Sequence, residues 1–343
     1  MRGITRREVL RKSALGVGLA ALLPFGATVA RAPAARAAFD PSGFDFWVES
    51  SMGPIKSRIF RAADGNTNWV VYALDGMRAR DDLNGWEIET NVAQALTDAN
   101  INVVMPVGGR ASFYADWNEP STFADTPAGT DGGTADNGWS QMNAGGPGKT
   151  YTYKWETFLT QDLRNALRDR LSFNATRNGV FGLSMSGSSA LQLAAFHADQ
   201  FSFAGSFSGV LDMSMAVIRQ AIRVAMIDAG GYNIDSMAGP KDKKWGRIDP
   251  VQFASRLKSS NTRLWVSCGS TLPAEEGAVD DTQVNAIGLE AVALLGTRSF
   301  EAKFASIGGR NASFNYPAVG VHDWANWEAR LTEMLPDLSA NIG

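Results

Sequence analysis

The chain has 343 residues, 45% of them hydrophobic, with 32 Lys+Arg against 35 Asp+Glu and a net charge of −3. That apolar fraction is enough for a large α/β core, and the absence of a basic block or acidic tail argues against nucleic acid as a partner. Cys268 is the only cysteine, which excludes an intramolecular disulfide.

The N-terminus reads as an export signal over residues 1–37. Thr5-Arg6-Arg7-Glu8-Val9-Leu10-Arg11-Lys12 is a charged twin-arginine-like region, Ala14 to Ala30 is apolar but broken by Gly and Pro, and Ala35-Arg36-Ala37 supplies an A-x-A cleavage site. Residues 38–343 then form a single catalytic domain, secreted or held in the cell envelope. No later apolar run is long enough to span a bilayer.

Phe44 to Glu49 and Lys56 to Phe60 read as short opening strands. Asn66 to Leu74 comes next, and its nearly all-apolar second half suits a strand covered on both faces. A helix over Ile88 to Asp98 leads into a strand at Asn102 to Val107, and this β-α-β alternation predicts a mostly parallel sheet with helices on both faces. Regularity fails from Gly108 to Tyr151. Lys154 to Leu171 is amphipathic at helical spacing.

The run Val180 to Leu183 ends at Ser184, and a helix-forming segment, Ala190 to His197, comes after it. A strand turning into a helix through G-x-S-x-small is the nucleophile elbow of the α/β-hydrolase fold. The match is relaxed, because Ser186 stands where the strict motif has glycine.

Further on, Phe201 to Ser208 and Thr262 to Cys268 read as strands, and Ser214 to Ala229, Pro250 to Leu257 and Asp281 to Leu295 as helices. Gly230 to Trp245 looks irregular. Met213, Met215 and Met226 suit the lining of an apolar groove, with core filling the reading for any single one of them. Asn311 to Tyr316 is the last strand. It delivers Gly320-Val321-His322-Asp323-Trp324, and a final helix runs to about Leu335.

Of the two histidines, His197 lies near the end of the elbow helix, where it complements the helix dipole. His322 lies after the last strand, where this fold places its base. The acid falls somewhere after the strand ending at Cys268, and Glu275, Glu276, Asp280, Asp281 and Glu290 all remain open. The oxyanion hole takes the backbone N–H of Met185 and a second N–H from the loop Asp75-Gly76-Met77.

Several of these stretches, taken together, resemble the antigen 85 mycolyltransferases. They are Leu74 to Trp86, Met105 to Gly109, Ser112 to Trp117, Tyr151 to Leu159, Gly182 to Ser186 and Gly320 to Trp324. The resemblance implies an exported, cofactor-free and metal-free acyltransferase that moves mycoloyl groups from trehalose monomycolate to a second trehalose monomycolate or to arabinogalactan. By position it implies Ser184 as nucleophile, His322 as base and Glu290 as acid. Met77 and Met185 match the oxyanion-hole amides, and Asp75, Arg78 and Trp324 match sugar-site residues. The chain departs from the family at Asp323, where a serine is usual, and in a Gly-rich insertion at about 128–146. Cys268 matches a family cysteine near the site and reads as a small buried hydrophobe. A secreted serine esterase and a non-catalytic surface-binding member of the fold are the rival readings.

Overall fold

The computed structural model describes residues 40, 42–121, 152–240, 242–274 and 280–343. The export signal over 1–37, the 128–146 insertion and the carboxylates of Glu275 and Glu276 lie outside the described residues.

Among the described residues, eight strands build one sheet: β1 (Phe44–Val48), β2 (Ile55–Phe60), β3 (Val70–Leu74), β4 (Asn102–Pro106), β5 (Asn178–Leu183), β6 (Phe201–Phe207), β7 (Arg263–Ser267) and β8 (Ala312–Asn315). Their order is β1-β2-β4-β3-β5-β6-β7-β8. The first two strands are antiparallel to their neighbours, and all later pairings are parallel. β3, β4 and β5 are buried at every residue, as continuous apolar runs require when both faces are covered. β3 is shorter than the sequence indicates, because Asn66 folds its side chain onto the N–H groups of Asn68 and Trp69 and makes a turn there.

Apolar clusters fill both faces of the sheet. One joins the sheet to α3, which starts at Trp155–Thr157, passes through a π-helical turn at Phe158–Asp162 and continues as Leu163–Leu171. The same cluster takes in α4 (Met185–Phe196), α5 (Ala216–Asp228), α6 (Ile234–Ala238), α7 (Trp245–Ile248) and α8 (Pro250–Ser260). The other face is covered by α1 (Gly85–Glu89), α2 (Val92–Asp98) and α10 (Trp324–Ser339). The expected helix over 88–98 is thus two short ones, with Asn84 capping the first through the Trp86 N–H at 2.9 Å. α6 lies inside the stretch that looks irregular in sequence, capped by Asn233.

α9 (Asp281–Ser306) runs well past Leu295, the end expected from the sequence, and Gly296 does not stop it. The glycine serves packing instead. A Cβ there would sit 3.2 Å from the Leu211 nitrogen and 3.3 Å from the Asp212 nitrogen, so glycine lets α9 lie tight against the loop after β6. Met213 and Met226 are fully buried core residues, and Met215 packs beside them. Among the described residues, no helix is long and apolar enough to cross a membrane.

Candidate active site

The parallel strands finish level with one another. Leu74 pairs with Gly182, Leu183 with Phe207, Phe207 with Ser267, and Ser267 with Asn315. The residues just beyond each strand therefore gather at one edge of the sheet: Asp75-Gly76-Met77 after β3, Ser184 after β5, Ser208 after β6, Cys268-Gly269 after β7, and the His322 loop after β8. This carboxyl edge is where open α/β sheets place their sites.

Ser184 has φ +52 and ψ −118, outside the regions an ordinary side chain adopts. Its N–H donates to the Phe207 carbonyl at 2.8 Å, and α4 begins at the next residue. A Cβ on Gly182 would sit 2.5 Å from the Ser186 carbonyl oxygen, so the elbow requires glycine there. At the relaxed position, the Ser186 hydroxyl accepts the Leu183 N–H and donates to the Leu74 carbonyl, both at 2.9 Å. The departure from the motif thus cross-braces β5 to β3.

His322 Nδ1 lies 2.8 Å from Glu290 Oε2. Glu290 stands inside α9, fully buried, and its other oxygen accepts the Ser208 hydroxyl at 2.8 Å and the Gly269 N–H. Burial alone would raise this carboxyl. The bonds from His322, Ser208 and Gly269 outweigh it and hold the group below the usual carboxylate range. The Trp327 indole donates to Ser208 Oγ at 3.0 Å, and its ring meets His322 edge-on at 5.0 Å. Ser184 and His322 line one cavity, and no hydrogen bond joins them among the described residues. Such contacts often tighten only when substrate is bound.

That cavity, of about 100 Å³, has a polar end formed by Met77, Arg78, Ser184, Ser208 and His322. Its other wall is apolar, from Ile222 and Ala225 on α5 and Leu289, Val292 and Ala293 on α9. Neither the Met77 N–H nor the Met185 N–H donates to any group among the described residues. Gly76 lies so close to the elbow that a Cβ would meet Leu183 Cδ1 at 2.7 Å. Two free amides, a hydroxyl and a carboxylate-paired imidazole can perform nucleophilic acyl transfer.

Other expected residues fall elsewhere. Asp280 caps α9 through Gln283, and Asp281 opens that helix. His197 ends α4, about 20 Å from Ser184 by helix rise, and pairs with buried Glu156 at 2.7 Å. Asp323 caps α10 through the Asn326 N–H at 2.8 Å, and burial pushes its carboxyl up. Cys268 is fully buried. Its thiol lies 3.4 Å from Glu290, and burial beside that charge keeps it protonated. Trp324 does not line the cavity; its ring packs on Trp86 and Trp327, closely enough that Gly85 must be glycine. Arg78 does line it, paired with Asp228 at the end of α5.

Asp75 lies behind the cavity. Its two oxygens accept the Gly76 and Gly85 N–H groups, each at 2.7 Å. Burial pushes its carboxyl up to about 6, and those two bonds offset burial only in part. A carboxyl raised on folding contributes stability that is complete below its unfolded value near 4 and is lost as pH rises through about 6. Asp249, also pushed up to about 6, acts in the same window. Asp75→Asn should therefore flatten, without abolishing, the fall in urea midpoint between pH 4 and 7. An unchanged slope would place the titration elsewhere.

Sequence reasoning misses Ser208, the Gly269 amide, Trp327 and Asp228. Ser208 had a signal, since it sits directly after β6 as Ser184 does after β5. The others are set by tertiary contacts.

The family model described as "Putative esterase" matches residues 54–338. The diacylglycerol acyltransferase/mycolyltransferase Ag85B of Mycobacterium leprae is 41% identical over 332 residues, covering 95% of this chain and 93% of that protein. The protein of the same name from Mycolicibacterium smegmatis is 38% identical over 341 residues, 97% and 96% of the two chains. The crystal structure of Mycobacterium tuberculosis MPT51 superposes with a TM-score of 0.71 at 30% identity, covering 88% of this chain and 99% of that one. With an α/β-hydrolase sheet, an elbow serine and likeness over nearly its whole length, the chain belongs to the Ag85 diacylglycerol acyltransferase/mycolyltransferase family.

Proposed function

We propose that this chain is an exported acyltransferase of the cell envelope, moving mycoloyl groups from trehalose monomycolate to a second trehalose monomycolate or to arabinogalactan. The observation that carries the reading is His322, paired to buried Glu290 and sharing with Ser184 a cavity whose far wall is apolar. An acyl chain fits that wall, and the relatives' names supply the acyl class. The twin-arginine-like N-terminus supports export.

In this mechanism His322 takes the Ser184 proton as Oγ attacks the ester carbonyl. The Met77 and Met185 amides meet the charge that develops on the carbonyl oxygen. The intermediate collapses, and trehalose leaves with the proton from His322. An acceptor hydroxyl then gives its proton to His322 and attacks the acyl-enzyme, and Ser184 leaves with that proton. Arg78, held by Asp228 at the polar end, meets the sugar hydroxyls. Asp75 and Trp324 support that rim from behind.

The test is product analysis with trehalose monomycolate as the only ester. Trehalose dimycolate plus free trehalose is the expected result. Free acid alone, even at high trehalose, would identify a secreted esterase instead, the reading closest to the family model's description.

A further inference from the structure

The turn after β4 takes no part in the acyl-transfer steps, yet it holds an unusual conformation. Ala111, Phe113 and Tyr114 have φ of +52, +52 and +45, and all three are fully buried. Left-handed backbone at three non-glycine residues within four positions is costly, and it persists only where the surroundings over-determine it. Within the turn, the Ser112 N–H donates to the Gly109 carbonyl at 3.0 Å and the Tyr114 N–H to Ser112 Oγ at 2.9 Å. The Trp117 indole donates to the Ser112 carbonyl at 2.9 Å.

Its outward bonds go to two places. On one side the Ala111 N–H donates to the Met77 carbonyl at 3.0 Å, and the Tyr114 hydroxyl accepts the Asp75 N–H at 3.1 Å while donating to the Gly108 carbonyl at 3.2 Å. On the other side the Phe113 N–H donates to the Met185 sulfur at 3.2 Å, and the Ser189 hydroxyl donates to the Phe113 carbonyl at 2.6 Å. β4 is not a neighbour of β5, because β3 lies between them. The turn therefore reaches across β3 to grip the loop carrying Met77 and the helix that begins at Met185.

We propose that the strained turn Gly108–Tyr114 is a positioning element that sets both oxyanion-hole amides at once, with Tyr114 as its central residue. This rests on the acyl-transfer reading of the site. Two donors from different segments must converge on one oxygen, and a misplacement of about 1 Å can cost roughly 100-fold in rate. A single rigid piece bonded to both segments fixes their separation. Local strain is the means of aiming the Ala111 N–H at one segment and the Phe113 N–H and C=O at the other.

The test compares Tyr114→Phe with Tyr72→Phe. Tyr72 is also a fully buried tyrosine, on β3, and it makes none of the turn's bonds. Tyr114→Phe should lower kcat on a short-chain ester about tenfold with KM unchanged, and weaken by a similar factor a boronic acid that forms a tetrahedral adduct on the serine. Tyr72→Phe should leave both at wild-type values. Ser189→Ala, which removes one of the two bonds from Phe113 to α4, should repeat the Tyr114→Phe pattern in smaller degree. The proposal falls if folded Tyr114→Phe and Ser189→Ala keep wild-type kcat and boronate affinity, or change KM alone. It falls also if neither folds, since the turn would then serve the fold alone. Ser184→Ala assayed alongside separates the two levels: if it abolishes turnover while the turn variants are silent, only this inference is lost.

Discussion

Replacing Ser184 by alanine should cut turnover about 10⁶-fold while leaving thermal unfolding close to that of the native chain. The loss of turnover comes from chemistry, because the other hydroxyl at the polar end of the cavity, Ser208, is bonded to Glu290 and Trp327 and is not free to attack. The unchanged stability comes from bonding. The Ser184 hydroxyl makes no hydrogen bond among the described residues, so its removal strands no buried partner. A serine-directed phosphonate should label the native protein at Ser184 and leave the variant unlabelled. Turnover above a few per cent, or label on another residue, would remove the elbow from the mechanism.

Glu290→Gln should cost about 10⁴ in kcat, with the fold retained. The outcome depends on which end of the amide faces His322. On its far side Glu290 already accepts the Ser208 hydroxyl and the Gly269 N–H, so the amide oxygen is drawn there. The NH₂ then points at His322 Nδ1, which must become the acceptor. Its proton moves to Nε2, and the imidazole can no longer take one from Ser184. Phosphonate labelling should slow in parallel with turnover. A loss under tenfold would mean that another group orients His322.

The sheet and the elbow were legible in the sequence because their signals are local: apolar runs of strand length, a glycine two residues before a serine, and a helix-forming run after it. The acid was not legible from such signals. Five carboxylates stood open as the acid after β7, and only resemblance pointed to Glu290, 22 residues beyond Cys268 and inside a helix. Nothing in a carboxylate's own neighbourhood tells whether a distant histidine will come within 2.8 Å. The end of α9 was set too early, at Leu295, for a related reason. Gly296, the next residue, answers to the approach of backbone remote in sequence and not to the end of the helix. The turn at 111–114 was invisible because its left-handed residues are alanine, phenylalanine and tyrosine, types that carry no turn signal. Asp75 was expected at a sugar site, and Asp323 as a departure from the family's serine, from the resemblance alone. Their bonds to backbone N–H groups give each a local duty that position cannot reveal.

β8, whose succeeding loop carries His322, is the outermost strand of the sheet, paired only with β7 and half-buried at each of its four residues. The base therefore hangs from the margin of the molecule most prone to fraying, while the nucleophile is anchored at the centre. Warming should silence the protein before it melts. The amides of β8 would exchange with solvent early, and those of β5 would stay protected until the whole sheet gives way.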